Sequence, residues 1–140
     1  MSDKPISREE LQEKLRHSAF IDFLGLDVLS ADPEKQEVVM RLAMKPEFER
    51  GRGTGQWHGG PIAAVIDTVG DFALVMILGR PLPTINFRVD YLRPAVNTGL
   101  TVIARVRRSG KTVGIVDVDV LNDSNVLVAI GRANYSTLTP

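Results

Sequence analysis

The sequence predicts an α+β fold in which an antiparallel sheet wraps around one long central helix. Three observations predict it. An apolar stretch from about Gly60 to Leu78 has the length of a buried helix. Two strand signals precede it, and period-2 alternation runs almost without interruption after it. The 140 residues fit a single domain over 1–140, with 44% hydrophobic and 24% charged residues, the balance of a globular chain.

The elements follow in order. Ser7 and Glu10 read as a capping box, with Ile6 and Leu11 placed for a hydrophobic staple, so a short helix runs from Ser7 to about His17. Phe20 to Gly25 then packs and turns, Gly25 acting as a helix stop. Leu26 to Ser30 is a strand, Ala31-Asp32-Pro33-Glu34 its turn, and Val38, Met40, Leu42 and Met44 the inward face of the next strand. Pro46 to Gln56 holds Gly51, Gly53 and Gly55 and reads as a loop. Pro61 sits in the first turn of the long helix, where its missing N–H costs nothing, and Gly79 to Pro83 ends that helix.

Beyond it, Ile85, Phe87, Val89 and Tyr91 share one strand face. Val102, Ala104 and Val106 follow the break at Pro94 to Gly99, then Val116, Val118 and Val120, then a last strand from about Val126 to Thr137. Ser109-Gly110-Lys111 and Asn122 to Asn125 are tight turns. Four consecutive hairpin-linked strands after the helix are expected. A helix apolar nearly all round needs more cover than one sheet, and a second subunit is the natural candidate.

Composition excludes several classes. Seventeen Lys+Arg against seventeen Asp+Glu gives no net charge, so a nucleic-acid partner is not expected. The absence of cysteine removes disulfides, thiolate nucleophiles and Cys-ligated metals. His17 and His58 are far apart, and no metal-ligand cluster exists. The polar start of the chain does not resemble a signal peptide, and Asp67, Thr68 and Asp71 interrupt the most apolar run. A cytoplasmic protein without a membrane partner is the expectation.

Two features of Trp57-His58-Gly59-Gly60-Pro61-Ile62-Ala63-Ala64-Val65-Ile66-Asp67 carry chemistry. Gly59 and Gly60 open the long helix, so unpaired N–H groups and the positive end of the dipole meet whatever approaches. Such a site suits a carbonyl oxygen that turns negative during acyl transfer. Asp67 lies inside an apolar helix, so it is paired with a hydroxyl such as that of Thr68, exposed in a cleft, or functional. Gly60 and Asp67 stand roughly 10 Å apart along the axis. If both act on one carbon, Asp67 must come from a second copy whose helix runs the other way, which favours a two-fold dimer with two shared sites.

His58-Gly59-Gly60 with Asp67 nine residues after His58 resembles the signature of hotdog-fold acyl-CoA thioesterases of the phenylacetate-degradation (PaaI-like) kind. These are related to 4-hydroxybenzoyl-CoA thioesterases, which carry Glu at the matching helix position. Phe20 to Leu26 and Tyr91-Leu92-Arg93-Pro94-Ala95 extend the resemblance over essentially the whole chain. It implies a hydrolase that splits an acyl-CoA thioester into acid and coenzyme A, the coenzyme being part of the substrate and no cofactor being needed. It implies a homodimer, with pairing into a homotetramer frequent among relatives.

Residue by residue, the resemblance makes Asp67 the catalytic carboxylate, as nucleophile or as base activating water. Gly59 supplies the N–H that polarises the thioester carbonyl, with Gly60 beside it. His58 stands near the leaving sulfur, and Thr84 is the hydroxyl that helps orient water. Where relatives carry Asn or Gln six residues before the histidine, this chain has Arg52, which leaves Gln56 to take that place unless the loop is shifted. Arg88, Arg93, Arg105, Arg107, Arg108 and Lys111 read as a solvated strand face, of which Arg93 and the turn Ser109, Gly110 and Lys111 are candidates for the coenzyme phosphates. Asp71 reads as structural or solvent-facing. The glycine series lacks the Lys-Ser/Thr of a phosphate loop. Arg52 keeps alive a non-catalytic acyl-CoA binding module. An acyl-thioester dehydratase or hydratase ranks behind it, because its acid–base motifs are absent.

Overall fold

The computed structural model describes residues 4–139. The capping box forms as the sequence predicts: the Ser7 hydroxyl accepts from Glu10 N–H, and the Glu10 carboxylate accepts from Ser7 N–H. It starts helix α1 (Arg8–Lys14), which runs into a 3-10 turn (Leu15–His17). Helix α2 (Ala19–Leu24) stops at Gly25, whose φ of 72° suits a residue without a Cβ. Leu11, Leu15 and Leu24 point into the core, whereas Phe20 and Phe23 stay exposed.

Strands β1 (Asp27–Asp32) and β2 (Glu37–Leu42) form the first hairpin. Its turn occupies residues 33–36 rather than 31–34. The Asp32 carboxylate accepts from Glu34 and Lys35 N–H, so the strand continues through Asp32 and the turn begins after it. A 3-10 turn (Pro46–Phe48) and the glycine loop lead to α3 (Gly59–Leu78). The chain then makes β3 (Thr84–Tyr91), β4 (Leu100–Ser109), β5 (Val113–Asn122) and β6 (Leu127–Ser136).

All six strands join one antiparallel sheet in the order β1-β2-β4-β5-β6-β3. The expectation of four hairpin-linked strands is therefore corrected. β4–β5–β6 is a meander, but β3 pairs with β6, and β4 lies between β2 and β5. Residues 92–99, which look like a hairpin break in the sequence, cross the end of the sheet. Leu92 and Arg93 N–H donate to Val128 C=O, and Trp57 N–H donates to Ala95 C=O. The crossover is thereby tied to the segment that starts α3.

α3 lies against the inner face of the sheet. Val65, Ile66, Val69, Ala73 and Leu74 meet the inward residues of the meander, including Val102, Ala104, Val116, Val118, Ala133 and Tyr135, all buried. At the contact, Gly70 leaves room for a ring: a Cβ there would stand 2.5 Å from the Tyr135 hydroxyl. That hydroxyl donates to Asp67 C=O at 2.6 Å, anchoring the middle turn of the helix. The helix is long and apolar enough to cross a membrane by length and composition, and the sheet takes up much of its surface.

Candidate active site

His58 is the N-cap of α3, and its Nδ1 accepts from Gly60 N–H at 3.1 Å. Accepting at Nδ1 places the proton of the neutral ring on Nε2. The cap also uses up the Gly60 amide. Pro61 has no N–H, so Gly59 N–H is the amide of the first turn left without an acceptor among the described residues. Of the two glycines, Gly59 is the donor available to a carbonyl oxygen.

The Tyr91 hydroxyl, at the end of β3, donates to Gly59 C=O at 2.6 Å. Desolvation raises the pKa of this phenol, which keeps it a donor. A Cβ on Gly59 would come within 3.1 Å of that oxygen, so the close approach favours glycine.

Asp67 is neither fully buried nor paired with Thr68. Its Oδ1 accepts from the Thr84 hydroxyl at 2.8 Å, an expected site residue in direct contact with another. Gly60, Ala64, Asp67 and Asp71 fall at helical spacing on one face of α3, and none of them is buried beneath the sheet. Asp71 is partly buried rather than open to solvent. Burial and the neighbouring Asp67 charge push its carboxyl up to about 7, although Leu82 N–H donates to it at 3.3 Å. Burial likewise drives the Tyr135 phenol far above its ordinary range.

Two clefts flank the start of α3. One, of about 470 Å³, is lined by Arg50, Gln56, His58, Gly59, Tyr91 and Arg93, with Trp57 and Leu92 among its apolar walls. The other, of about 310 Å³, opens beside Gly60, Pro61 and Ala64. Gln56 and Arg93 thus share a cleft with Gly59, while Arg52 lies outside it with Glu47 and Glu49. The glycine loop is not an anion site: the Glu49 carboxylate accepts from the N–H groups of Gly53 and Gly55.

The turn Ser109-Gly110-Lys111 is not brought to these clefts within one chain. A Cβ on Gly114, just beyond that turn, would stand 2.7 Å from Leu74 Cδ1, near the far end of α3. Gly59 and Leu74 are roughly 22 Å apart along the helix. Several arginines of the outer face are held in ion pairs, Arg105 with Glu37 and both Arg107 and Arg132 with Asp117. Sequence reasoning missed Arg50 and the role of Tyr91. Strand alternation marked Tyr91 as an element residue but carried no sign that β3 ends against α3.

Residues 54–129, more than half the chain, match the family described as the Thioesterase superfamily. Human acyl-coenzyme A thioesterase 13 is 30% identical over 129 residues, covering 89% of each chain. The acyl-coenzyme A thioesterase PaaI of Escherichia coli is 29% identical over 110 residues, covering 78% of this chain and 75% of that one. An X-ray structure of a thioesterase-superfamily protein, 32% identical, superposes with a TM-score of 0.86 over 92% of this chain and 96% of that one. The structure of the E. coli PaaI protein, 25% identical, superposes with a TM-score of 0.77 over the same shares. These likenesses bear out the expected hotdog architecture. The family match runs from the glycine loop through α3 and into β6, and by it the chain belongs to the Thioesterase superfamily.

Proposed function

We propose that this chain is an acyl-CoA thioesterase whose site is built by two copies. One observation carries the reading: the Asp67 carboxylate, held by Thr84, and the free Gly59 N–H stand on the same helix but too far apart for one substrate carbon. Eight residues separate them, about 12 Å of axis.

A second copy with its α3 antiparallel brings one chain's Asp67 to the other's Gly59. Two features support such a pairing. The α3 face bearing Gly60, Ala64 and Asp67 is small-residued and lacks cover from the sheet. β3 is an edge strand with an open backbone edge, and its Ile85, Phe87 and Tyr91 are 52%, 39% and 53% exposed. An edge of that kind favours closure by another copy of itself.

In this reading the thioester oxygen receives Gly59 N–H, and negative charge developing on it is met by the amide and the helix dipole. The partner's Asp67 either attacks the carbonyl carbon or takes a proton from a water that does. The C–S bond breaks, the coenzyme leaves as a thiolate that takes up a proton, and the acid is released. A covalent Asp67 intermediate would need a second attack by water. Thr84 orients the carboxylate in both routes, and His58 with Nε2–H faces the departing end. Gln56 shares the cleft with Gly59 and is the amide within it that could serve where the family pattern has Asn or Gln, which favours hydrolysis over a non-catalytic binding module.

Complementation tests the reading. Asp67→Asn and Gly59→Pro each lose hydrolysis, by roughly 10²-fold or more for the carboxylate. Subunit exchange between them restores about a quarter of the native rate, because about half the dimers are mixed and each carries one intact site. Mixed dimers that form and stay inactive overturn the shared site. An Asp67→Asn chain with native turnover overturns the chemistry.

A further inference from the structure

The two clefts at the start of α3 differ in a way that orients a thioester between them. The 470 Å³ cleft offers two guanidinium groups, an amide, an imidazole and a phenol. The 310 Å³ cleft is walled by Phe20, Phe23, Leu24, Phe48, Pro61 and Ala64, and its charged member is Glu47. They share a wall. Phe48 stacks on Trp57 with ring centroids 5.2 Å apart, and Phe48 lines the smaller cleft while Trp57 lines the larger. Gly59 belongs to the first cleft and Gly60 to the second, so a carbonyl held at Gly59 N–H lies at their junction.

We infer that the smaller cleft receives the acyl group, and that Phe20 and Phe23 of α2 set which acyl groups the enzyme prefers. The inference rests on the thioesterase reading and adds a direction to it. The polyanionic arm of coenzyme A is drawn to the arginines of the larger cleft and repelled by Glu47 in the smaller. The apolar end takes the aromatic pocket.

Phe20 is 58% and Phe23 45% exposed, two large apolar side chains lining one cleft. Phe23 is nonetheless held in place. It meets Phe48 edge to face at 5.8 Å, Lys45 Nζ lies 4.4 Å from its ring centroid, and the same ammonium donates to Phe23 C=O. Phe23 is thus a fixed part of the outer wall, and Phe20 lines the same cleft. In the single chain the cleft holds about 310 Å³, at the small end of ligand pockets, and a second copy laid along the Gly60–Ala64 face of α3 would wall its remaining side. The cleft suits a compact apolar acyl group, one ring or a medium chain, and leaves the end of a long chain outside.

The test compares octanoyl-CoA with acetyl-CoA as substrates of the native chain and of Phe20→Ala/Phe23→Ala, with thermal melting to confirm folding. The octanoyl:acetyl ratio of kcat/KM falls about 10-fold or more in the variant, as losing apolar contact with several methylenes requires. Taking a ratio removes general damage to the fold from the comparison. An unchanged ratio overturns the inference. The non-hydrolysable thioethers S-octyl-CoA and S-ethyl-CoA give a second readout by calorimetry. The native chain binds the octyl compound more tightly, and the variant loses that preference. A native chain that hydrolyses no thioester but shows this preference refutes the thioesterase reading and keeps the pocket. Equal binding of both thioethers refutes the pocket.

Discussion

The hydroxyl of Tyr91 donates to the carbonyl of Gly59 at 2.6 Å, so the end of an edge strand holds the first peptide of the central helix. Tyr91→Phe deletes the bond, and Gly59→Ala crowds it. Each change lowers kcat/KM about 5-fold, the worth of one hydrogen bond of about 1 kcal/mol. Since both act on one contact, the double variant is little worse than either single one. Steady-state kinetics on the three variants checks this, and full additivity would show that the two changes act independently of this contact.

Thr84→Val keeps the shape of the side chain and leaves Asp67 Oδ1 without its donor. A fall in kcat of about 10-fold is expected, the loss of a hydrogen bond to a charged group costing about 1.5 kcal/mol or more. Thr84→Ser restores most of it, because the hydroxyl and not the methyl group orients the carboxylate. A serine variant as slow as the valine one assigns the effect to packing.

Asp71→Asn changes the pH dependence of stability. In the fold the Asp71 carboxyl is raised from 3.8 to about 7 by burial, with the Asp67 charge adding to the rise. Between those values the unfolded chain has lost this proton while the folded chain keeps it. Stability therefore falls as pH rises through this window and levels off above it, by at most about 4 kcal/mol. Asparagine retains an oxygen for Leu82 N–H and carries no charge. The variant should melt above the native chain at pH 8, and its melting temperature should be flatter between pH 4 and 7. Parallel curves would falsify the assignment.

Gly70→Ala places a methyl group 2.5 Å from the Tyr135 hydroxyl. Overpacking at such a contact costs about 1–3 kcal/mol, despite the gain in helix propensity. Tyr135→Phe removes the offending oxygen, and the next atoms stand at 3.5 Å. Alanine at 70 is then tolerated, so the double variant unfolds in urea at a concentration no lower than Tyr135→Phe alone. Equal destabilisation in both backgrounds would place the strain elsewhere.

Local rules in the sequence reached the elements and much of the site. Ser7 and Glu10 announced a capping box that forms, Gly25 a helix stop that proves left-handed, and the period-2 runs the inward faces of β2, β4 and β5. The position of β3 was not legible. Alternation reports which way side chains point but not which strand lies alongside, and residues 92–99 suit a hairpin loop and a crossover equally. The resemblance marked both Thr84 and Asp67 as site residues, but their direct hydrogen bond came from the structure. That of Tyr91 with Gly59 depends on the crossover and left no local mark. Asp71 was legible as a neighbour of Asp67 at one helical turn, but its burial depends on the return of the chain at Leu82.

The sheet order also governs the sequence of events during synthesis. α3 and β3 leave the ribosome before the meander that covers them, and β3 has no strand neighbour until residues 127–136 have been made. Until then β3 lacks its one neighbour in the sheet and α3 lacks part of its cover, the combination that invites aggregation and chaperone binding. Closing this gap requires contacts between distant parts of the chain, which slows folding relative to a simple meander. A nascent chain stalled just before β6 therefore leaves both edges of β3 open, and a brief pause there during translation would prolong that state.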